Sequence, residues 1–202
     1  MTVTKVKRQY RGDSAEARRL ERRTKLLDAA KRLFGQRGFH STTVKAICEE
    51  AGLTERYFYE SFPGNEALFI AMHKRTSDRI ISTLSEALDG SRNPLRAVIE
   101  AYFQDIMNDP VSAKLFAVDA GFISRSASEV CASWRTSFGQ ILVRATGGSL
   151  SDTSPILRSG IVRALLGLGV DWMDGGFADP RDEIVEAGLR IAQILEQQRS
   201  SI

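Results

Sequence analysis

Eight consecutive residues, Thr54-Glu55-Arg56-Tyr57-Phe58-Tyr59-Glu60-Ser61, gather a guanidinium, two phenols, two carboxylates and two hydroxyls. Arg56 is the one cation among them, and the planar fork of an arginine is shaped to bond O6 and N7 of a guanine together. Tyr59 and Ser61, with Thr43 and Lys45 upstream, offer hydroxyl and ammonium groups suited to phosphate oxygens, and Thr54, Glu55 and Tyr57 share the same short exposed segment. Asn65 stands where the next helix should begin, so its amide and the nearby backbone N–H groups can also meet a phosphate. This is the chemistry of recognising double-stranded DNA. Chemistry that makes or breaks bonds has no comparable signal. His40 and His73 have no cysteine or carboxylate cluster beside them, and there is no Gly-rich phosphate loop, Gly-x-Ser-x-Gly elbow or HExxH. No catalytic residue, metal or cofactor is therefore expected, and the chain is not expected to be an enzyme.

The elements that must position these groups are legible upstream. Leu26, Leu27, Ala30, Leu33 and Phe34 form the i, i+3, i+4, i+7 stripe of a helix with one buried face, which Gly38 stops. Val44, Ile47, Cys48 and Ala51 repeat the stripe between a Thr43 N-cap and Gly52. Leu53 then fills the turn, Thr54 is placed to cap a third helix, and Phe58 and Phe62 point inward. A two-turn helix, a glycine turn and a short polar-aromatic helix have the shape that enters a major groove.

This stretch resembles the TetR family of bacterial transcriptional regulators. The resemblance rests on Ala30-Lys31-Arg32-Leu33-Phe34, Gly38-Phe39, Thr43-Val44, Ile47-Cys48, Ala51-Gly52-Leu53-Thr54, Phe58-Tyr59 and Phe62-Pro63-Gly64-Asn65-Glu66-Ala67-Leu68, and covers residues 20 to 70. Asn65 is a departure, because the family usually carries a phosphate-contacting lysine there. The resemblance implies an all-α fold of about nine helices, a homodimer on a palindromic operator, and a C-terminal domain enclosing a small-molecule pocket.

Charge divides the chain in the same sense. Residues 1–75 hold 16 Lys/Arg and 9 Asp/Glu, a net of +7, whereas residues 76–202 hold 12 and 16, a net of −4. The +3 total thus hides a basic N-terminal third suited to a polyanion. Its densest run, Lys5, Lys7, Arg8, Arg11, Arg18, Arg19, Arg22, Arg23 and Lys25, reads either as a solvated face or as an arm that follows DNA. With 43% hydrophobic residues the chain can bury a sizeable core. No apolar run suits a secretion signal or a membrane span, and Cys48 and Cys131 suit reduced thiols, so a cytoplasmic location is expected.

Beyond residue 65 the pattern is helical throughout: 65–89, 94–108, 111–123, 128–145, 155–173 and 181–198. The expected division is a DNA-binding domain over 1–64 and a ligand-binding and dimerisation domain over 65–202. In the 155–173 helix apolar residues cover most of the circumference, and Gly160, Ala164 and Gly167 form a small-residue strip. Ile184, Gly188, Ile191 and Leu195 recur at near-heptad spacing in the last helix. Both helices are expected to pair with those of a second copy, the alternative being that they are core of one chain. Phe103, Met107, Phe116, Phe122, Trp134, Phe138 and Trp172 could line a pocket for a small, largely apolar effector, with Asp119 and Arg163 to orient it. The same residues could equally fill a core, which leaves a ligand-independent regulator or activator of the same fold as the alternative.

Overall fold

Gly38 and Gly52 adopt φ of +76° and +65°, the left-handed backbone that ends a helix and that a side chain disfavours, and so set the lengths of the first two helices. The computed structural model describes residues 6–117, 123–148 and 154–197. It is all-α, with nine helices among the described residues: α1 (Val6–Arg37), α2 (Val44–Ala51), α3 (Glu55–Ser61), α4 (Asn65–Asp89), α5 (Pro94–Asn108), α6 (Pro110–Ala117), α7 (Arg125–Ala145), α8 (Pro155–Asp174) and α9 (Arg181–Gln197). The expected arm is helical from Val6 onward, as the start of α1, and Lys5 lies outside the described residues. None of these helices is long and apolar enough to cross a membrane.

The chain divides into two compact units at Met72/His73, eight residues beyond the expected 64/65. The reason is that Leu68, Phe69 and Met72, on the first two turns of α4, are buried with Leu26, Leu33, Phe34, Ile47 and Phe58 in the first unit. Phe34, Phe39 and Phe69 form a three-ring cluster with centroids 5.4–5.9 Å apart, each ring edge-on or tilted to the next.

In the second unit α5 is central. Its stripe of Leu95, Val98, Ile99, Tyr102, Phe103 and Ile106 is buried among α6, α7, α8 and α9. α7 starts three residues earlier than its apolar period indicates, because the Ser124 hydroxyl accepts from Ala127 N at 3.0 Å and caps it. The α8–α9 connection is fixed from within: Trp172 Nε1 donates to Asp179 O at 2.9 Å, and its ring meets Phe177, which holds a positive φ of 58°.

Glycines that look alike in sequence face opposite ways. A Cβ on Gly188 would come 2.7 Å from Phe103 Cε2 and 3.1 Å from Ile99 Cγ2, whereas one on Gly160 or Gly167 would meet nothing within 4 Å. Gly188 and the buried Ile184 therefore belong to the core of their own chain. This corrects the expectation that the whole Ile184-Gly188-Ile191 stripe is kept for a partner. Gly188→Ala should lower stability. A helical Gly→Ala gains about 1 kcal/mol in propensity, but overpacking against the fully buried Phe103 costs about 1–3 kcal/mol. A melting temperature at or above that of wild type would show that Phe103 can move aside.

Candidate nucleic-acid interface and effector cavity

The outer face of the first unit is built on two aromatic anchors. Phe58 and Phe62 are buried under α3, and their rings lie 6.0 Å apart, which leaves the opposite side of this seven-residue helix to solvent. Arg56 is 84% exposed at its side chain, with Nε donating to Glu60 Oε1 at 3.1 Å, and Tyr59 is 57% exposed. An exposed ion pair of this kind is weak, so the guanidinium can exchange its carboxylate for a base edge at little cost. Thr54 occupies the N-cap position but makes no side-chain capping bond, contrary to expectation, and its hydroxyl is thus uncommitted beside exposed Glu55. Thr43 does cap α2, accepting from Ala46 N at 3.2 Å, and Lys45 beside it is exposed with Glu49 at 3.9 Å.

Four further residues differ from what their sequence positions indicate. Tyr57 is only half exposed, because the Arg22 guanidinium lies 4.5 Å over its ring. Arg23 stacks 4.1 Å over Phe62 and donates from Nη1 to Ser61 O at 3.0 Å. Two members of the basic run are therefore braces between α1 and α3, while Arg18 and Arg19 remain exposed. Asn65 does not extend its amide outward: Nδ2 donates to Thr42 O at 2.7 Å, and Oδ1 is buried with no donor among the described residues. Any phosphate contact here falls to the backbone N–H groups of the α4 N-terminus.

In the second unit, a cavity lies among α4, α5, α6, α7 and α8, walled by Ile80, Tyr102, Asp105, Ile106, Ala113, Phe116, Trp134, Leu166, Gly169 and Val170. Counted out to its mouth it spans about 370 Å³, of which about 20 Å³ is free to a water-sized body. That is room for about one water. Phe116 and Trp134 were expected on this wall, with rings 4.8 Å apart. The other predicted lining residues that the structure describes are elsewhere. Phe103 and Phe138 are fully buried packing residues, Trp172 is engaged with Asp179 and Phe177, and Met107 is exposed at the end of α5. Arg163 is exposed and borders a separate surface groove with Arg135 and Arg158. Asp119 and Phe122 lie outside the described residues.

Asp105, which the sequence reading did not single out, is the cavity's charged group. Arg79 grips it in a two-pronged pair, Nη1 on Oδ1 and Nη2 on Oδ2 at 3.1 Å, and Nη2 also lies 3.7 Å from Asp109 Oδ2. Only tertiary structure could have revealed this pairing across 26 residues. Tyr102, also on the wall, donates its hydroxyl to Leu165 O at 3.3 Å, and burial raises its pKa.

His73 and Cys131 form a second buried polar group in this unit. His73 Nε2 lies 3.1 Å from Cys131 Sγ, Nδ1 lies 3.1 Å from Ser77 Oγ, and Phe116 packs on the ring at 4.2 Å. Burial first, and the Arg135 charge second, lower the imidazole pKa from 6.5 to about 4. A base depressed in the folded state is neutral there while its unfolded counterpart takes up a proton. Stability is thus fully present above pH 6.5 and is lost as pH falls toward 4, on the order of 3 kcal/mol in all. Thermal melts from pH 7.5 to 4.5 should show a decline that His73→Gln reduces; equal slopes in both proteins would assign the acid sensitivity to other groups.

A family model for the bacterial regulatory proteins of the tetR family matches residues 26–72, the span that carries α2, α3 and their supports. Residues 26–72 carry the DNA-binding region of the TetR family. Among curated relatives it is 34% identical over 98 residues to the transcriptional activator FasR of Mycolicibacterium smegmatis, a match covering 47% of this chain and 45% of that one. The chain thus spans less than half the length of that relative. Among solved structures, a TetR family regulator from Marinobacter aquaeolei superposes with a TM-score of 0.71 at 20% identity, covering 89% of this chain and 97% of the other. FadR of Bacillus subtilis, solved in complex with stearoyl-CoA, superposes with a TM-score of 0.67 at 16% identity, covering 85% and 96%. At these identities the likeness is one of fold, and it extends the TetR architecture beyond the reader to the C-terminal helices.

Proposed function

We propose that this TetR family chain is a homodimeric transcriptional regulator that binds a palindromic operator through α3 and leaves it when a small, largely apolar molecule occupies the C-terminal cavity. The observation that carries the first half is the outer face of α3, where Arg56, Tyr59 and the uncapped Thr54 are exposed above two buried phenylalanines. Arg56 meets a base edge, and Tyr59, Thr43 and Lys45 meet phosphates. Ser61, half exposed at the C-terminal end of α3, is assigned to a phosphate as well.

The second half is supported by the cavity. Its walls are mainly apolar, and its small free volume means that a ligand must part them, so a ligand binds an opened state in preference to the closed one. Fatty acyl-CoA thioesters are the effector class to try first, since the similarly folded FadR was solved with stearoyl-CoA and the cavity is apolar. The test is a titration of the operator complex with stearoyl-CoA, watched by fluorescence anisotropy of labelled DNA. Release at stoichiometric excess supports the reading, and DNA that stays bound through saturation argues for a ligand-independent regulator. FasR is named as an activator, so the sign of regulation is read from a reporter gene placed behind the operator, where expression should rise on deletion of a repressor and fall on deletion of an activator.

A further inference from the structure

Trp134 is 96% buried, forms part of the cavity wall, and keeps an Nε1–H with no hydrogen-bond acceptor among the described residues. Buried indole N–H groups ordinarily have one, and an unmet donor in an apolar setting is destabilising. The other donor on the wall, the Tyr102 hydroxyl, is already committed to Leu165 O. The remaining polar group, Asp105, is an acceptor held by Arg79. Among the described residues the wall therefore has one uncommitted side-chain donor to offer, and the group of Asp105, Asp109 and Arg79 already carries a net negative charge, which in mainly apolar surroundings disfavours another. We propose that Trp134 sets the specificity of this cavity: its Nε1–H donates to an uncharged carbonyl oxygen on an apolar chain, so that an ester or thioester is accepted and the corresponding free carboxylate is rejected beside Asp105.

This rests on the reading of the cavity as the effector site. The burial of Trp134 explains why the hydrogen bond should matter: a ligand lacking the acceptor would leave the indole N–H unmet in the complex, whereas a carbonyl satisfies it without adding charge. Phe116 and Phe138 pack against the indole ring at 4.8 and 5.6 Å, so phenylalanine at position 134 keeps an aromatic surface there and removes the donor.

The experiment measures binding of three probes to the full-length chain and to Trp134→Phe by calorimetry: stearoyl-CoA, the S-octadecyl thioether of CoA, which lacks the carbonyl, and free stearate. Wild type should bind the thioester about three- to tenfold more tightly than the thioether, the range expected for one net hydrogen bond, and stearate more weakly than the thioester. Trp134→Phe should bring the ratio of thioester to thioether affinity to about one, whatever its absolute affinities, and its helicity and cooperative melt show that the variant is folded. If wild type binds the thioester and the thioether equally, or Trp134→Phe retains the difference, or stearate binds best, the assignment of Trp134 is overturned while the cavity remains an effector site. If none of the three binds wild type, the effector reading fails and the specificity falls with it.

Discussion

Replacing Arg56 with alanine should weaken operator binding by about 1–3 kcal/mol at each half-site and flatten base preference at one position within it. The size follows from geometry. Arg56 is the only cation on α3, its guanidinium is 84% exposed, and its one partner, Glu60, is itself on the surface. The substitution therefore removes no buried contact, and Phe58 and Phe62 hold α3 in place without it. Tyr59→Phe, by contrast, should weaken all sequences alike, since a phenol on phosphate carries no base information. Binding arrays on operator variants separate the two. An even loss for Arg56→Ala together with altered base preference for Tyr59→Phe would exchange the roles assigned to these side chains.

A larger loss is expected from Gly167→Leu, which should shift the protein toward monomer and reduce operator affinity on the order of 10²–10⁴-fold, the advantage of engaging two linked half-sites. Gly160 and Gly167 have open space where a Cβ would go, Ala164 between them is exposed, and Ile156 on the same helix is 85% exposed. Ile194 of α9 is exposed as well. Leucine at 167 therefore fits a single chain, and helicity and melting behaviour at low concentration should match wild type. The added side chain obstructs only the close approach of a second copy. A Gly167→Leu protein that sediments with the mass of wild type and binds the operator as tightly would remove α8 from the interface.

How much of this could be read from the sequence depended on whether the deciding contact was local. The three helices of the reader were legible because their ends are set by Thr43, Gly38 and Gly52 and their buried faces by a regular apolar period. The same period misplaced Met107, which satisfies the α5 stripe but falls in the last turn of the helix and is exposed. Tyr57 and Asn65 were misread for a different reason. Their partners, Arg22 and Thr42, are 35 and 23 residues away and come from other elements. In the second unit, Gly160, Gly167 and Gly188 are one residue type at helical spacing, and only the packed structure shows that the last lies under Phe103 while the others face outward. The pairing of Arg79 with Asp105 and the unmet donor of Trp134 are likewise products of tertiary packing, invisible to period or composition.

The proposed function stands or falls on whether α3, in a symmetric pair, reads DNA sequence. Selection of genomic fragments by the full-length protein, followed by footprinting of the enriched DNA, tests it most directly. The expected result is enrichment of a twofold-symmetric sequence whose half-sites are centred about one helical turn apart, roughly 34–36 Å, with guanine protection that disappears in Arg56→Ala. Enrichment no greater than for bulk DNA, or protection that persists unchanged without Arg56, would contradict it.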